Sequence, residues 1–397
     1  MKSALQGLKV VECATVVAAP LCGRLLADFG AQVLHVEHPQ KGDPLRDFGF
    51  TKDGINPWWK YYGRNKKYIT LDISKPKGKE LLYQLLADAD VFIENFRPGK
   101  LEEWGIHFED LQKINPRLVM VRISGYGQTG PYSQQPGFGT IAEAMSGFAE
   151  MTGEVDGNPT LPQFPLADTC AGFYAAMSAM FAIYHRDSVG AGKGQVIDVS
   201  ILESLFSILG PNALVQQLTG QSPKRIGNKA PTSSPRNIYP TKDQGWIAIA
   251  SATQSTAVRL FELMGKSELL QDPRFSTNGN RVKHSKLVDE IVSAWTTQYT
   301  RDELARLLRD NEVPFGPVNN VEDLLNDPHA QFRDMIISKA DHDGRVLRME
   351  GVFPKLSMTP GEVRHFGGDL GADNAAIYTD LGLTAQDIEM LQKDKII

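Results

Sequence analysis

In the first third of the chain, short runs of β-branched residues alternate with stretches of helical spacing. This alternation limits the folds open to the chain more than any other feature. The spacing predicts a strand over Leu8–Cys13 and a helix over Pro20–Phe29 with Gly30 as its stop. A second strand is predicted at Val33–Glu37 and a third at Tyr68–Leu71. A helix is predicted over Pro76–Ala89, where Leu81, Leu82, Leu85 and Leu86 share one face. Pro76 suits its first turn, because the N–H that proline lacks has no partner there. Further strands are predicted at Val91–Ile93 and Leu118–Ile123. Strands separated by helices pair in parallel, since each crossover returns the chain to the same edge. The expected class is therefore α/β, a mainly parallel sheet covered on both faces.

A helix-rich block follows, with predicted helices over Ile141–Met151, Thr169–Arg186 and Val199–Thr219. The middle one is apolar nearly all round, so it should be buried. Gly190–Gly194 is read as a turn into a strand at Val196–Val199. The segment Gln221–Asn237 is rich in Pro, Ser, Gly and basic residues and reads as a long linking loop. Beyond it the pattern predicts a smaller unit, with a strand at Trp246–Ala250 and helices around Thr256–Met264, Lys286–Thr297 and Arg301–Asp310. Thr384 followed by Asp387 opens a last helix with a capping box. The expected division is 1–220 for the first part of a large α/β domain, 221–330 for linker and small domain, and 331–397 for a C-terminal return.

Several functions are disfavoured. Lys plus Arg is 42 and Asp plus Glu 47, a formal net charge of −5, so no nucleic-acid partner is expected. The 3 cysteines, Cys13, Cys22 and Cys170, fit a reducing, cytoplasmic setting better than a disulfide framework. No Cys/His spacing suggests a metal. No signal peptide is read at the start, and the apolar stretch Cys170–Tyr184 is judged too short to span a bilayer. The loop after the first strand, Ala14-Thr15-Val16-Val17-Ala18-Ala19-Pro20, lacks the glycines of a dinucleotide turn. Gly190-Ala191-Gly192-Lys193-Gly194 lacks the Ser or Thr of a phosphate loop.

A set of strings is more specific together than any is alone. They are Leu5–Glu12, Gly30–Pro39, Asn65–Asp72, Glu94–Gly99, Asn115–Leu118, Ser124–Gly127, Pro165–Asp168, Gly192–Gln195 and Asp272–Phe275. In order and spacing this set resembles the class III CoA-transferase family, which contains formyl-CoA transferase and the carnitine CoA-transferase. The resemblance implies a Rossmann-like large domain whose parallel sheet comes from N- and C-terminal parts, a smaller α+β domain, and an interlocked homodimer. It implies CoA transfer from an acyl-CoA, with succinyl-CoA as one donor, to a carboxylic acid through an aspartyl-CoA thioester. Coenzyme A is then substrate and no tightly bound cofactor is expected. The alternatives are an acyl-CoA racemase or isomerase of the same fold, or a subunit of a two-component CoA-transferase.

The family's catalytic aspartate maps to Asp168. A carboxylate opening a helix is favoured in its charged form by the dipole and the free N–H groups, and a charged carboxylate is what attack on a thioester needs. The bland alternative is an N-cap worth ~1 kcal/mol. The CoA-binding positions that carry over are Val16, Val17, His38, Leu71, Asp72, Ile73, Ser74, Asn95, Phe96, Arg97 and Gly137. His38 stands where the family often has Arg, near adenosine and the 3′-phosphate. Lys66 and Lys67 are candidates for compensating charge where Glu103 replaces a family arginine. The related α-methylacyl-CoA racemases carry a His-Asp pair after the Pro-Gly turn. Here Phe138 follows Gly137, so a second proton-transfer group is missing. Arg236, among Ser and Thr, is a candidate partner for a second carboxylate on the acceptor, or else a loop-capping residue.

Overall fold

The computed structural model describes residues 3–190 and 192–397, so Ala191 in the predicted turn lies outside the described residues. Contacts divide the chain into two compact units. One comprises Met1–Ala149, Leu161–Leu214 and Phe332–Ile397, and the other Glu150–Thr160 and Val215–Gln331.

The first unit is built on six parallel strands: β1 (Lys9–Cys13), β2 (Gln32–Glu37), β3 (Lys67–Thr70), β4 (Val91–Glu94), β5 (Val119–Ser124) and β6 (Val196–Ser200). Their order is β3-β2-β1-β4-β5-β6. The order reverses between β1 and β4, and the two loops leaving those strands diverge to opposite faces, opening a crevice at the carboxyl ends. Successive residues of a strand point to opposite faces. Val10, Val91, Ile93, Val119 and Val121 therefore enter one core, and Val11, Phe92, Leu118 and Met120 the other. Helix α1 (Ala18–Asp28) and the helix Leu166–Tyr184 cover the first face. Helix α3 (Pro76–Leu86) and the C-terminal helices Asn374–Asp380 and Ala385–Lys393 cover the second. Leu81, Leu82, Leu85 and Leu86 are all buried as their spacing implied, each contributing about 1.5–3 kcal/mol. The short helix α2 (Pro57–Tyr62), opened by Asn56 and Pro57, was not anticipated.

Three sequence-based expectations need correction. The C-terminal part adds helices and a separate hairpin, β10 (Ile336–Ala340) with β11 (Val346–Glu350), but no strand of the parallel sheet. The predicted helix Ile141–Met151 is two, Gly139–Met145 and Phe148–Met151, parted where Gly147 takes φ 91°. The predicted helix Val199–Thr219 is likewise two, Ile201–Ser207 and Asn212–Thr219. Gly210 at φ 84° stands between them, followed by Pro211, which cannot extend a helical ladder.

The apolar run over Leu166–Tyr184 continues through a π turn, His185–Val189. Leu166–Val189 is thus long and apolar enough to cross a membrane by length and composition, contrary to the expectation from its apolar core. Its Ala167, Ala171, Ala175, Ala179 and Ala182 stripe packs into the core beside α1.

The second unit holds an antiparallel sheet, β7 (Arg236–Pro240), β8 (Trp246–Ala250) and β9 (Phe315–Pro317). The helices Gln254–Leu263, Ser285–Thr296 and Arg301–Asp310 pack on it through Leu260, Phe261, Val288, Val292, Leu304 and Leu308.

Candidate active site

Asp168 lies in the first turn of the helix Leu166–Tyr184 and lines a cleft of about 360 Å³. The other walls come from the strand ends at the topological reversal. The loop after β1 supplies Thr15–Ala18, the loop after β4 supplies Asn95–Pro98, and β5 ends at Ser124 and Gly125. The turn Pro136–Phe138 closes the rim. Two glycines permit this closeness. A Cβ on Gly125 would stand 2.8 Å from Gly137 Cα, and one on Gly139 would stand 2.3 Å from Asp168 Oδ2.

Burial pushes the Asp168 carboxyl up to about 6, and the nearby Glu143 carboxylate pushes the same way. The Gly139 N–H opposes both by donating to Asp168. Glu143 is itself buried, and its Oε1 accepts from Ala167 N at 3.2 Å. Sequence reasoning missed Glu143 and Gly139. The helix register of Gly139–Met145 held the signal for Glu143, but only the fold turns that face toward the opening of the helix Leu166–Tyr184. Cys170, two residues on, carries a free thiol, and partial burial raises its pKa. A thiol held protonated is a poor nucleophile. Asp168 thus presents an acidic side chain to the cleft, beside a thiol that burial keeps protonated.

The loop after β1 is held rigidly. Thr15 N donates to Asn95 Oδ1 at 3.0 Å, and Asn95 Nδ2 donates back to Thr15 O at 2.8 Å. Val16 sits at φ 69°, a region that costs an L-residue about 1–2 kcal/mol. Its N–H donates to both oxygens of Asp43, at 3.0 and 3.2 Å. The Val17 side chain packs with Leu21, Leu45 and Trp59.

The structure brings Val16, Val17, Asn95, Phe96, Arg97 and Gly137 together with Asp168 around this cleft. Arg97 is exposed, and its guanidinium donates to Gln134 O. His38 and Leu71–Ser74 lie off the cleft, at the carboxyl ends of β2 and β3. His38 Nδ1 accepts from Gln40 N, and its Nε2 is 3.9 Å from Asp72 Oδ2. Leu71 and Ile73 point into the core, and Ser74 Oγ donates to Asp72 Oδ1 at 2.6 Å. Lys66 corrects an expectation. It is 2 % exposed, and its ammonium is spent on Glu12 at 2.7 Å and Pro20 O at 2.8 Å, so it supplies no phosphate contact. Lys67 is exposed. Arg236 belongs to the second unit, where its Nη1 donates to Asn228 O and Lys229 O at 2.6 and 3.2 Å and so holds that turn. Phe138 is 71 % exposed at the cleft rim and carries no titrating group. Among the described residues no cluster suited to a metal ion occurs.

Comparison with known proteins gives one consistent family. The model of CoA-transferase family III matches residues 5–374. Succinyl-CoA–D-citramalate CoA-transferase of Chloroflexus aurantiacus is 42% identical over 99% of this chain and 98% of its own. Succinate–glutarate CoA-transferase of Agrobacterium fabrum is 34% identical over 96% of each chain. The crystal structure of a CaiB/BaiF family protein from Brucella suis superposes with a TM-score of 0.84 at 33% identity, covering 96% of this chain and 100% of that one.

Proposed function

This chain belongs to CoA-transferase family III and is a CoA-transferase acting on acyl-CoA and carboxylic acids; from that premise we propose that Asp168 carries the transfer covalently. The Asp168 carboxylate attacks the thioester carbonyl of the donor. The C–S bond breaks, leaving an aspartyl mixed anhydride and CoA thiolate. The thiolate attacks the aspartyl carbonyl and expels the donor carboxylate, which gives an aspartyl-CoA thioester. The acceptor carboxylate then attacks that carbonyl and forms a new anhydride. The released thiolate takes the acceptor acyl group and frees Asp168. A covalent carrier divides one hard exchange into easier steps. The observation that supports this reading is Asp168 itself, an aspartate in a cleft at the sheet's topological reversal, held by one N–H and by the opening of a helix.

Coenzyme A runs, in this reading, along the carboxyl edge of the sheet. His38 and Leu71–Ser74 take its adenosine end, and Val16, Val17, Asn95, Phe96, Arg97 and Gly137 its thioester end. Succinyl-CoA is the proposed donor and a small dicarboxylic acid the acceptor, by analogy with the similar proteins named above. Racemisation is not favoured, since Phe138 cannot exchange a proton. The interlocked homodimer that the family resemblance implies goes with an apolar face, Phe173, Met177 and Phe181, left exposed on the helix of Asp168.

The test is a panel of acyl-CoA donors and carboxylic acids read by mass spectrometry, with wild type and Asp168→Ala side by side. Wild type should form new acyl-CoA from succinyl-CoA, and Asp168→Ala should lose at least ~1000-fold with free CoA affinity kept. Activity in the alanine variant above a few per cent of wild type removes Asp168 as nucleophile.

A further inference from the structure

Behind the β1–α1 loop lies a buried chain of polar side chains that the transfer chemistry itself does not use. Lys66 Nζ donates to Glu12 Oε1 at 2.7 Å and to Oε2 at 3.1 Å. His35 Nδ1 bonds the same Glu12, and His35 Nε2 faces Asp43 Oδ2 at 3.7 Å. Glu12, His35, Asp43 and Lys66 are all under 3 % exposed. Asp43 is fixed from its own backbone too: its N–H donates to Glu37 Oε2 at 2.9 Å, and Arg46 holds Glu37 through two bonds of 2.7 Å. Asp43 Oδ1 also accepts from Leu45 N at 2.8 Å. The chain ends at the Val16 N–H, whose residue is the one β-branched residue held at positive φ among the described residues and which lines the cleft. A valine in the left-handed region persists only where its surroundings over-determine it. The surroundings that do so here are the two Asp43 oxygens on one side and the reciprocal Asn95 bonds to Thr15 on the other.

We propose that Asp43 is a positioning residue for the transfer reaction: it holds Val16 in the left-handed conformation and so fixes the Thr15–Val17 wall of the cleft beside Asp168. The inference rests on the proposed CoA-transfer reading of that cleft. It is specific about mechanism, because Asp43 acts through one backbone conformation. Glycine populates that conformation freely, so the need for Asp43 should vanish when residue 16 is glycine.

The experiment is a double-mutant cycle on the full-length enzyme. Asp43→Asn is made in the Val16 background and in the Val16→Gly background, and kcat, KM for succinyl-CoA and the melting temperature are measured. With Val16 present, Asp43→Asn should lower kcat roughly tenfold, in keeping with a small displacement of a reacting wall. With glycine at 16 the same substitution should change kcat by no more than about twofold. Asp43→Glu, which keeps the charge and moves the oxygens by one methylene, carries the same expectation and serves if Asp43→Asn does not fold. Equal losses of kcat in both backgrounds, or a drop in melting temperature with no change in kcat, overturn the proposal. A wild-type enzyme with no transfer from succinyl-CoA counts instead against the functional reading.

Discussion

Asp168 shows how one position can be both legible and illegible in a sequence. The motif Pro165–Asp168 and the apolar run behind it mark a carboxylate at a helix start. The titration of that carboxylate depends on Glu143, 25 residues upstream, and on burial, neither of which any local string reveals. The sign of its pH dependence follows directly. The carboxyl is raised to about 6 in the fold, so the reactive carboxylate is depleted as pH falls through that value. Accordingly kcat/KM should be level above pH ~6 and fall tenfold per pH unit below it, the profile of one essential base in the free enzyme. Glu143→Gln removes the repelling charge yet keeps an oxygen to accept from Ala167 N. It should lower the Asp168 pKa and move the acid limb to lower pH. A limb that stays in place or moves upward would show that Glu143 does not act on Asp168.

At the scale of elements, the six parallel strands and β8 were readable to within a residue or two because their apolar, β-branched runs are bounded by turn residues. By contrast, β7 opens with Arg236 and Asn237 inside the segment read as a linking loop, and β9, β10 and β11 were not read as strands. Lys66 was misread because its burial comes from pairing with Glu12 across three strands, β1, β2 and β3, and nothing in Asn65-Lys66-Lys67 announces that. The two helices broken at Gly147 and at Gly210-Pro211 were run together because their apolar spacing continues across each break. The loops after the strands carry the binding proposal, and they also give its test. Arg97, on the loop after β4, and His38, on the loop after β2, should bind donor and free CoA alike. Arg97→Ala and His38→Ala should each raise the KM for acyl-CoA roughly tenfold, the worth of one charge-assisted contact, with a smaller change in kcat. Unchanged KM values in both variants would place the CoA path elsewhere.

For the whole molecule, alternation of strand and helix was enough to imply a doubly covered parallel sheet, and the strand order then dictates where a crevice opens. The sequence could not show that residues 150–160 join the second unit or that the C-terminal segment adds no strand to the sheet, since both depend on long-range contacts. The six site positions that meet Asp168 come from three separated stretches, at 16–17, 95–97 and 137, and only the parallel topology unites them. The central claim is that Asp168 forms a covalent link to CoA, and trapping with donor alone tests it most directly. The enzyme is incubated with succinyl-CoA and no acceptor, treated with hydroxylamine, digested, and the peptide bearing residues 166–184 sequenced by mass spectrometry. The account predicts a hydroxamate on Asp168, absent without succinyl-CoA and absent in Asp168→Ala. An unmodified Asp168 in an enzyme that still turns over, or an adduct on Cys170 instead, would contradict it.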